Sequence, residues 1–319
     1  MRILLTGSSG WLGRFLGPML RAGGHEVTGL DVAAGVDTDV IGSVADRALI
    51  DRVFGEHGIE AVIHGGALHK PDIVRYPAQA FIDVNVSGTL NLLEAAQAAG
   101  HDRFVFTSTT SLMISSAIRE ERGDAAVWLT EESGPLRPRN IYGVTKLAAE
   151  KLCSLAHQDA GLACMVLRTS RFFPEEDDTH RELSGANMKA NEFLNRRLTV
   201  QDAARAHVVA LEKAPEIGFG TFILSAPPPF VPEDCAALKA DAAAVIARYF
   251  PEAPELYARR GWTLPRSLGR IYDSGLAERA MGFRCRTDFT AVLEALRTGA
   301  EMPFAHDAAY VSPKEVAAP

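Results

Sequence analysis

A short apolar run, Arg2-Ile3-Leu4-Leu5-Thr6, leads directly into Gly7-Ser8-Ser9-Gly10-Trp11-Leu12-Gly13, so three glycines follow a strand at the spacing G-x-x-G-x-x-G. That pattern demands a sharp turn from strand into helix. Gly7 permits the reversal, Gly10 leaves backbone bare for a pyrophosphate to approach, and Gly13 lets the helix pack close to the sheet. The N–H groups left unpaired at such a helix start face an anion, which makes Ser9, Trp11 and Leu12 cofactor-contact positions beside the glycines. Leu12, Phe15, Leu16, Met19 and Leu20 continue with helical periodicity. A second strand-like run, Glu26 to Leu30, then ends in Asp31. A carboxylate there accepts from adenosine ribose hydroxyls and repels a 2′-phosphate, so the predicted cofactor is NAD rather than NADP. Arg14 reads either as a partner for such a phosphate or as a solvated surface cation.

Strand-like and helix-like segments alternate through the first half of the chain, which argues for parallel strands joined by right-handed crossovers. The spacing predicts a weak strand at 39–41, a helix over 45–54, the buried strand Ala61-Val62-Ile63-His64 and a long helix over 78–99. A strand at 103–108, a polar loop over 112–140, a helix from Ile141 and a sixth strand at 163–167 follow. Past Arg168 the pattern changes. A charged stretch over 175–182 reads as a loop, Thr199 caps a helix through Ala214, Gly220 to Ser225 reads as a strand, and Pro227-Pro228-Pro229 forces an extended break. Helices follow over 233–249, 274–281 and 288–297, and the residues from about Ala300 read as a loosely held tail. The predicted class is α/β: a Rossmann-type doubly wound parallel sheet in residues 1–168, with parts of 199–225 returning to it. A smaller, interleaved C-terminal substrate lobe occupies 169–300, and 301–319 form the tail.

Charge narrows the partners. With 33 Lys+Arg against 40 Asp+Glu the formal net charge is -7, which gives no basic footprint for nucleic acid or an anionic membrane. An acidic substrate must therefore meet locally placed arginines. No stretch reaches the length of a membrane span, and the apolar start is too short for a signal-peptide core. Cys153, Cys164, Cys235 and Cys285 lie far apart without paired spacing, so they read as reduced thiols of a cytoplasmic protein. No His, Asp and Glu cluster has metal-ligand spacing, and no metal is predicted.

Tyr142-Gly143-Val144-Thr145-Lys146 puts a phenol and an ammonium four residues apart on one helix face. This helix follows a strand ending in Ser108-Thr109-Thr110, and open sheets present ligands at the carboxyl ends of their strands. A phenol with an ordinary pKa of about 10 is a poor base at neutral pH. A neighbouring lysine cation favours phenolate and brings the group toward usefulness, while a strand-end hydroxyl holds the reacting oxygen.

With these pieces in this order the chain resembles the extended short-chain dehydrogenase/reductase family, also called the NAD-dependent epimerase/dehydratase family. The likeness runs through Thr6 to Gly13, Asp31, His64-Gly65-Gly66-Ala67, Asn85 within Val84 to Thr89, Thr107 to Thr109, Tyr142 to Lys146 and Leu167-Arg168. Leu198 to Ala204 and Ile271 to Phe283 are similar to the family's "VxDxA" and terminal segments. The resemblance implies that Tyr142 is the general acid/base, that Lys146 lowers its pKa and binds the nicotinamide ribose, and that Thr109 bonds the reacting oxygen, with Ser108 the fallback. It implies Gly65, Gly66 and Ala67 as the loop under the middle of the cofactor, Asn85 as a supporting helix contact, and Thr107 and Arg168 as further cofactor contacts. The cofactor carries the hydride, so the protein supplies placement, a proton path and shielding from water.

Three departures refine this. Ser43 stands where the family often has an adenine-contacting aspartate. Thr110 and Ser111 replace the Asp-Glu pair of dehydratase branches, which disfavours water loss. The insert from Thr169 to Leu198 is shorter than in nucleotide-sugar branches, which points to a smaller substrate. On the substrate side, Arg171 can grip a carboxylate or phosphate through two parallel hydrogen bonds, or form a structural pair with Glu175 or Glu176. His69 and Thr110 face the same rim, with His180, Arg181, Asn187 and Arg197 as weaker candidates. Trp128 either walls the pocket or covers its loop. The chain thus reads as an NAD-dependent oxidoreductase acting on a hydroxyl or carbonyl of a small polar compound, a sugar or sugar acid. A sugar or nucleotide-sugar epimerase is the alternative enzyme, and a non-catalytic NAD-binding sensor is the alternative from another class. The resemblance further implies a homodimer built from helices 78–99 and 141–160, whose apolar faces equally suit intramolecular core.

Overall fold

Along β1 (Arg2–Thr6), Ile3 and Leu5 pack into one hydrophobic layer and Leu4 into another. In β5 (Phe104–Thr109), Val105 joins the first layer while Phe104 and Phe106 join the second. In β7 (Cys164–Thr169), Met165 and Leu167 are set against Cys164 and Val166 in the same way. Successive side chains on a strand point to opposite faces, so strands apolar at both parities need helices on both sides. The computed structural model, which describes residues 1–175 and 183–316, supplies them. Helices Gly13–Ala22 and Val200–Ile217 cover one face; Arg47–His57, Gly88–Ala98 and Ile141–Ala160 cover the other.

The remaining strands of the main sheet are β2 (Glu26–Asp31), β3 (Val40–Ile41), β4 (Ala61–His64) and β8 (Phe219–Leu224). The seven strands are all parallel in the order β3-β2-β1-β4-β5-β7-β8. This is the predicted α/β sheet. Its order reverses between β1 and β4, and the glycine turn after β1 opens at that switch point, where such sheets take ligands. A third core of Phe193, Leu238, Ile246, Tyr257 and Phe289 holds the C-terminal lobe together.

Four differences from the sequence reading have physical causes. The segment expected as one helix over 78–99 contains a π-helical stretch, Ile82–Ser87, between α-helical Ala78–Phe81 and Gly88–Ala98. The loop expected over 112–140 contains β6 (Val127–Leu129), which pairs in parallel with β9 (Arg270–Tyr272), Trp128 opposite Ile271. A three-residue strand whose partner is that distant in sequence leaves no local period to read. The short helices Gly185–Glu192 and Ala253–Arg259 are added in the lobe. Finally, the stretch expected as a loose tail packs against both the lobe and the glycine turn. Phe304 is buried, and Tyr310 lies edge-on to Trp11 at 5.2 Å between ring centres.

Candidate active site

Gly7 has φ +77°, and a Cβ added there would sit 2.8 Å from both Gly65 C and Gly66 N. A side chain at Gly13 would strike the carbonyl oxygens of Gly7 and Ser8. Only glycine satisfies both demands, which leaves the turn as bare backbone pressed against the loop that follows β4. Thr6 stitches the two together: its carbonyl accepts from Gly65 N at 3.1 Å and its hydroxyl oxygen accepts from Gly66 N at 3.0 Å. Trp11 anchors the turn sideways, donating from its indole N–H to the Phe172 carbonyl at 3.2 Å. Gly10 N donates back to the Gly7 carbonyl and Leu12 accepts the first bond of the helix, from Leu16 N. At the end of β2, Asp31 accepts from Ser9 N at 3.1 Å and Ala33 N at 3.2 Å, which fixes its carboxylate beside the turn.

Below the turn runs a neutral hydrogen-bonded chain whose proton positions follow from its ends. Thr89 donates to the Asn85 carbonyl at 2.7 Å, so its oxygen accepts from His64 Nε2–H at 3.1 Å. His64 Nδ1 is then the acceptor for the Thr6 hydroxyl at 2.7 Å. Burial holds this imidazole neutral, pushing its pKa down to about 3. Asn85, inside the π-helical stretch, accepts from Leu68 N at 2.8 Å and donates to Leu68 O at 3.0 Å and to Thr145 Oγ1 at 3.1 Å. It clamps the Gly65–His69 loop to the helix that carries Tyr142.

That helix starts where Asn140 accepts from Gly143 N at 2.9 Å, and it places Tyr142, Lys146 and Glu150 on one buried stripe. Tyr142 neighbours the Thr109 hydroxyl at the carboxyl end of β5, which favours its phenolate, and its ring lies 5.8 Å from that of His69. Lys146 Nζ sits 4.2 Å over the Phe106 ring. These are the residues the sequence brought forward, and the fold brings them together. The electrostatics, however, correct the sequence reading. Burial raises Tyr142 to about 12, with the Asp72 charge adding to the effect and Thr109 opposing it; burial also lowers Lys146 to about 7. In the protein alone, desolvation outweighs the expected pull of the lysine on the phenol.

Other assignments change with the strand parity. Ser108 faces the opposite way from Thr107 and donates to Glu150 Oε1 at 2.6 Å, so the fallback hydroxyl is committed to a buried carboxylate. Arg168, expected at the cofactor, is paired with the same Glu150 at 2.7 Å, both side chains buried. Thr107 donates to His207 Nε2 at 2.8 Å, because His207 Nδ1–H is spent on the Ala203 carbonyl at 2.7 Å. Burial takes His207 down to about 4. Thr110 donates to Thr169 O at 3.3 Å, and the Ser43 hydroxyl accepts from Ala45 N at 3.2 Å. Each of those hydroxyls thus has a backbone or imidazole partner within the protein.

Arg171 pairs with Glu192 at 3.3 Å, and Glu176, one of the two partners expected for it, lies outside the described residues. Glu192 also meets Arg196 at 3.2 Å and Arg197 at 2.7 Å, forming a charge cluster in which Arg171 alone keeps substantial exposure, 40% against 15% and 2%. Asn187 is engaged with the Thr263 backbone, and the Trp128 indole N–H donates to Asp273 at 3.1 Å. His180 and Arg181 lie outside the described residues. His69 is drawn inward, between Tyr142 and Phe173, and burial pushes its pKa well down. Sequence reasoning passed over Glu150, although it repeats the four-residue step from Tyr142 to Lys146. It also missed Asp72, which accepts from the His69 backbone.

A profile described as the NAD dependent epimerase/dehydratase family matches residues 3–219. The chain belongs to this family. It is 32% identical over 182 residues to the UDP-glucose 4-epimerase of Azospirillum brasilense, covering 52% of this chain and 48% of that protein. It is 35% identical over 173 residues to the L-arabinose 1-dehydrogenase (NAD(P)(+)) of Haloferax volcanii, covering 52% and 65% respectively. The matches thus span about half to two thirds of these relatives' lengths. Among solved structures, a short-chain dehydrogenase/reductase superfamily protein from Agrobacterium tumefaciens with bound NAD superposes with TM-score 0.65 at 23% identity, covering 93% of this chain and 96% of that one. That likeness shows the fold. Among the described residues of this epimerase/dehydratase-family chain, no helix is long and apolar enough to cross a membrane.

Proposed function

We propose that the chain is an NAD-dependent oxidoreductase, exchanging a hydride between NAD and the hydroxyl or carbonyl carbon of a small sugar or sugar acid. The observation that carries this reading is the neighbouring of the Tyr142 phenol and the Thr109 hydroxyl at the carboxyl end of β5, on the edge where the glycine turn opens. The residues present fit a dinucleotide: the turn is bare backbone at Gly7 and Gly13, and Asp31 is fixed beside it by Ser9 N and Ala33 N. Asp31 would accept from the adenosine ribose and exclude a 2′-phosphate, which favours NAD over NADP. When bound, NAD supplies the carbon that takes or gives the hydride.

The chain's own part is a proton at one oxygen. Thr109 positions the substrate oxygen, and Tyr142 gives it a proton in reduction or takes one in oxidation. With Tyr142 near 12 and Lys146 near 7, the resting pair keeps its proton on the phenol. Oxidation requires the reverse, so Lys146 acts by being charged when the phenol is asked to ionise. Arg171, the exposed member of the Glu192 cluster, is the side chain placed to meet an acidic group on the substrate.

The curated likeness to UDP-glucose 4-epimerase supports a second reading, in which the substrate is inverted with no net change in cofactor. The apolar residues left exposed on the two helical segments, Ile82 and Leu90 with Val144 and Leu155, support a homodimer under either reading. The test is NAD reduction across a panel of aldoses, uronates, polyols and hydroxy acids, followed by near-ultraviolet absorbance. Accumulating NADH, lost by about 10²–10⁴ in turnover in Tyr142→Phe and reduced in Thr109→Ala, is the expected result. Inversion of a sugar without NADH would establish the epimerase. NAD binding with every activity untouched by Tyr142→Phe would establish a non-catalytic sensor.

A further inference from the structure

The last described stretch of the chain joins the two halves of the molecule. Phe304 is buried in the lobe core with its ring 5.7 Å from Phe193, His306 lies 2.8 Å from Lys189, and Asp307 N donates to the Pro174 carbonyl at 3.0 Å. Beyond this anchor the chain crosses to the sheet. Tyr310 packs edge-on against Trp11 of the glycine turn at 5.2 Å, with the Arg14 guanidinium 5.9 Å from the same ring. Lys314 donates to the Ala67 carbonyl at 3.2 Å and pairs with buried Asp72, and Glu315 pairs with Arg75 at 2.6 Å. Trp11 and Ala67 belong to the two walls that meet at Gly7 and Gly65. Four residues of chain reach at most about 14 Å, so the step from Tyr310 to Lys314 runs directly from one wall to the other.

Resting on the dinucleotide reading above, we propose that residues 304–316 are a latch across the cofactor groove. Cofactor enters and leaves only when Tyr310 and Lys314 let go. The attachment is built to open: residues 305–309 are exposed, and no side chain after Phe304 is buried among the described residues. It is also built to close again. Opening strips Lys314 from Asp72, a carboxylate only 1% exposed, and a buried charge without its partner is unfavourable. Asp72 also accepts from the His69 backbone, and His69 packs on Tyr142, so release of the latch is felt at the candidate catalytic phenol.

The experiment follows release of NADH by its fluorescence, in stopped flow against excess NAD, for the full chain and for Tyr310→Ala, Tyr310→Phe and Lys314→Met. Release about tenfold faster in Tyr310→Ala and Lys314→Met is the expected result, with Tyr310→Phe close to the parent because the ring edge, not the hydroxyl, makes the contact. Hydrogen exchange of the 308–316 amides, slowed by NADH in the parent and fast in Tyr310→Ala, reads the same event without turnover. Release rates within about twofold of the parent in both disruptive variants, with unaltered exchange, overturn the latch while leaving the dinucleotide site standing. A parent chain that binds neither NAD nor NADH removes the site itself, and the latch with it.

Discussion

Around the glycine turn and beside β5, one set of polar side chains is buried as neutral groups that satisfy one another; around Glu192 in the lobe, another set is buried as charges. The first kind is the chain Thr6–His64–Thr89–Asn85–Thr145, in which each proton has an assigned acceptor. The second is Glu192 among Arg171, Arg196 and Arg197, flanked by buried atoms that lack a hydrogen-bond partner, including Arg197 Nε, Asn191 Oδ1 and Glu175 Oε2. Neutral, mutually bonded groups fix geometry at small desolvation cost. Charges held in low dielectric are costly to bury and respond strongly to any further charge brought near them. Under the function proposed above, the contrast would suit a sheet that holds an unvarying cofactor and a lobe that distinguishes among polar substrates.

Removing one charge from the lobe is the strongest way to break this comparison. Glu192→Gln leaves three arginines without their common counter-ion, and urea unfolding should show a loss of about 3–5 kcal/mol; a loss under about 1 kcal/mol would show the cluster to be well solvated. The neutral set has its own weakness, in acid. His64 and His207 are held near 3 and 4, below the ordinary 6.5, so in that window the unfolded chain binds protons the folded chain refuses. Stability should be fully present above about 6.5 and fall as pH drops toward 4, by on the order of 3 kcal/mol per histidine. Chemical denaturation from pH 7 to 4 measures it, and a flat profile would place charged partners around those rings.

Smaller effects sharpen the contrast. Asn85→Ala removes the clamp between Leu68 and Thr145 and should destabilise by about 1–3 kcal/mol while weakening NAD binding, both read by thermal shifts with and without cofactor. Arg171→Gln should leave stability nearly unchanged, because that guanidinium is 40% exposed. It should raise KM for an acidic substrate about tenfold with kcat preserved; equal KM values for acidic and neutral sugars would remove Arg171 from recognition.

What the sequence disclosed follows from range. The glycine turn, the parallel strands and the Tyr142–Lys146 step are local patterns, and each is where the residues said it would be. Thr109 was separable from Ser108 by parity alone, since Phe104, Phe106 and Ser108 share a face that Thr109 does not. Arg168 was legible in the same way, being in step with Cys164 and Val166 beneath the Tyr142 helix. The pairing of Arg171 with Glu192 was not legible, because Glu192 reaches it through the helix Gly185–Glu192, whose period is too short to stand out. Nor was the phenol's pKa, since burial is a property of everything packed around Tyr142 and spacing along one helix reports only the lysine. The closing segment was unreadable for a related reason: Tyr310 and Lys314 are held by Trp11 and Ala67, from the opposite end of the chain.

The widened winding at Ile82–Ser87 sets a rule about length that is separate from composition. A π-turn carries one more residue per hydrogen-bonded ring than the α-turns on either side of it. Deleting any single residue there would let the rod run regular from Ala78 to Ala98, but side chains before the cut would swing by about 100° relative to those after it. A cut between Asn85 and Gly88, with the helix over 88–98 held in its packing, would turn the amide of Asn85 away from Leu68 and Thr145. A version of this protein shortened at that point would have to fasten its Gly65–His69 loop by some other means, whichever amino acids fill the remaining positions.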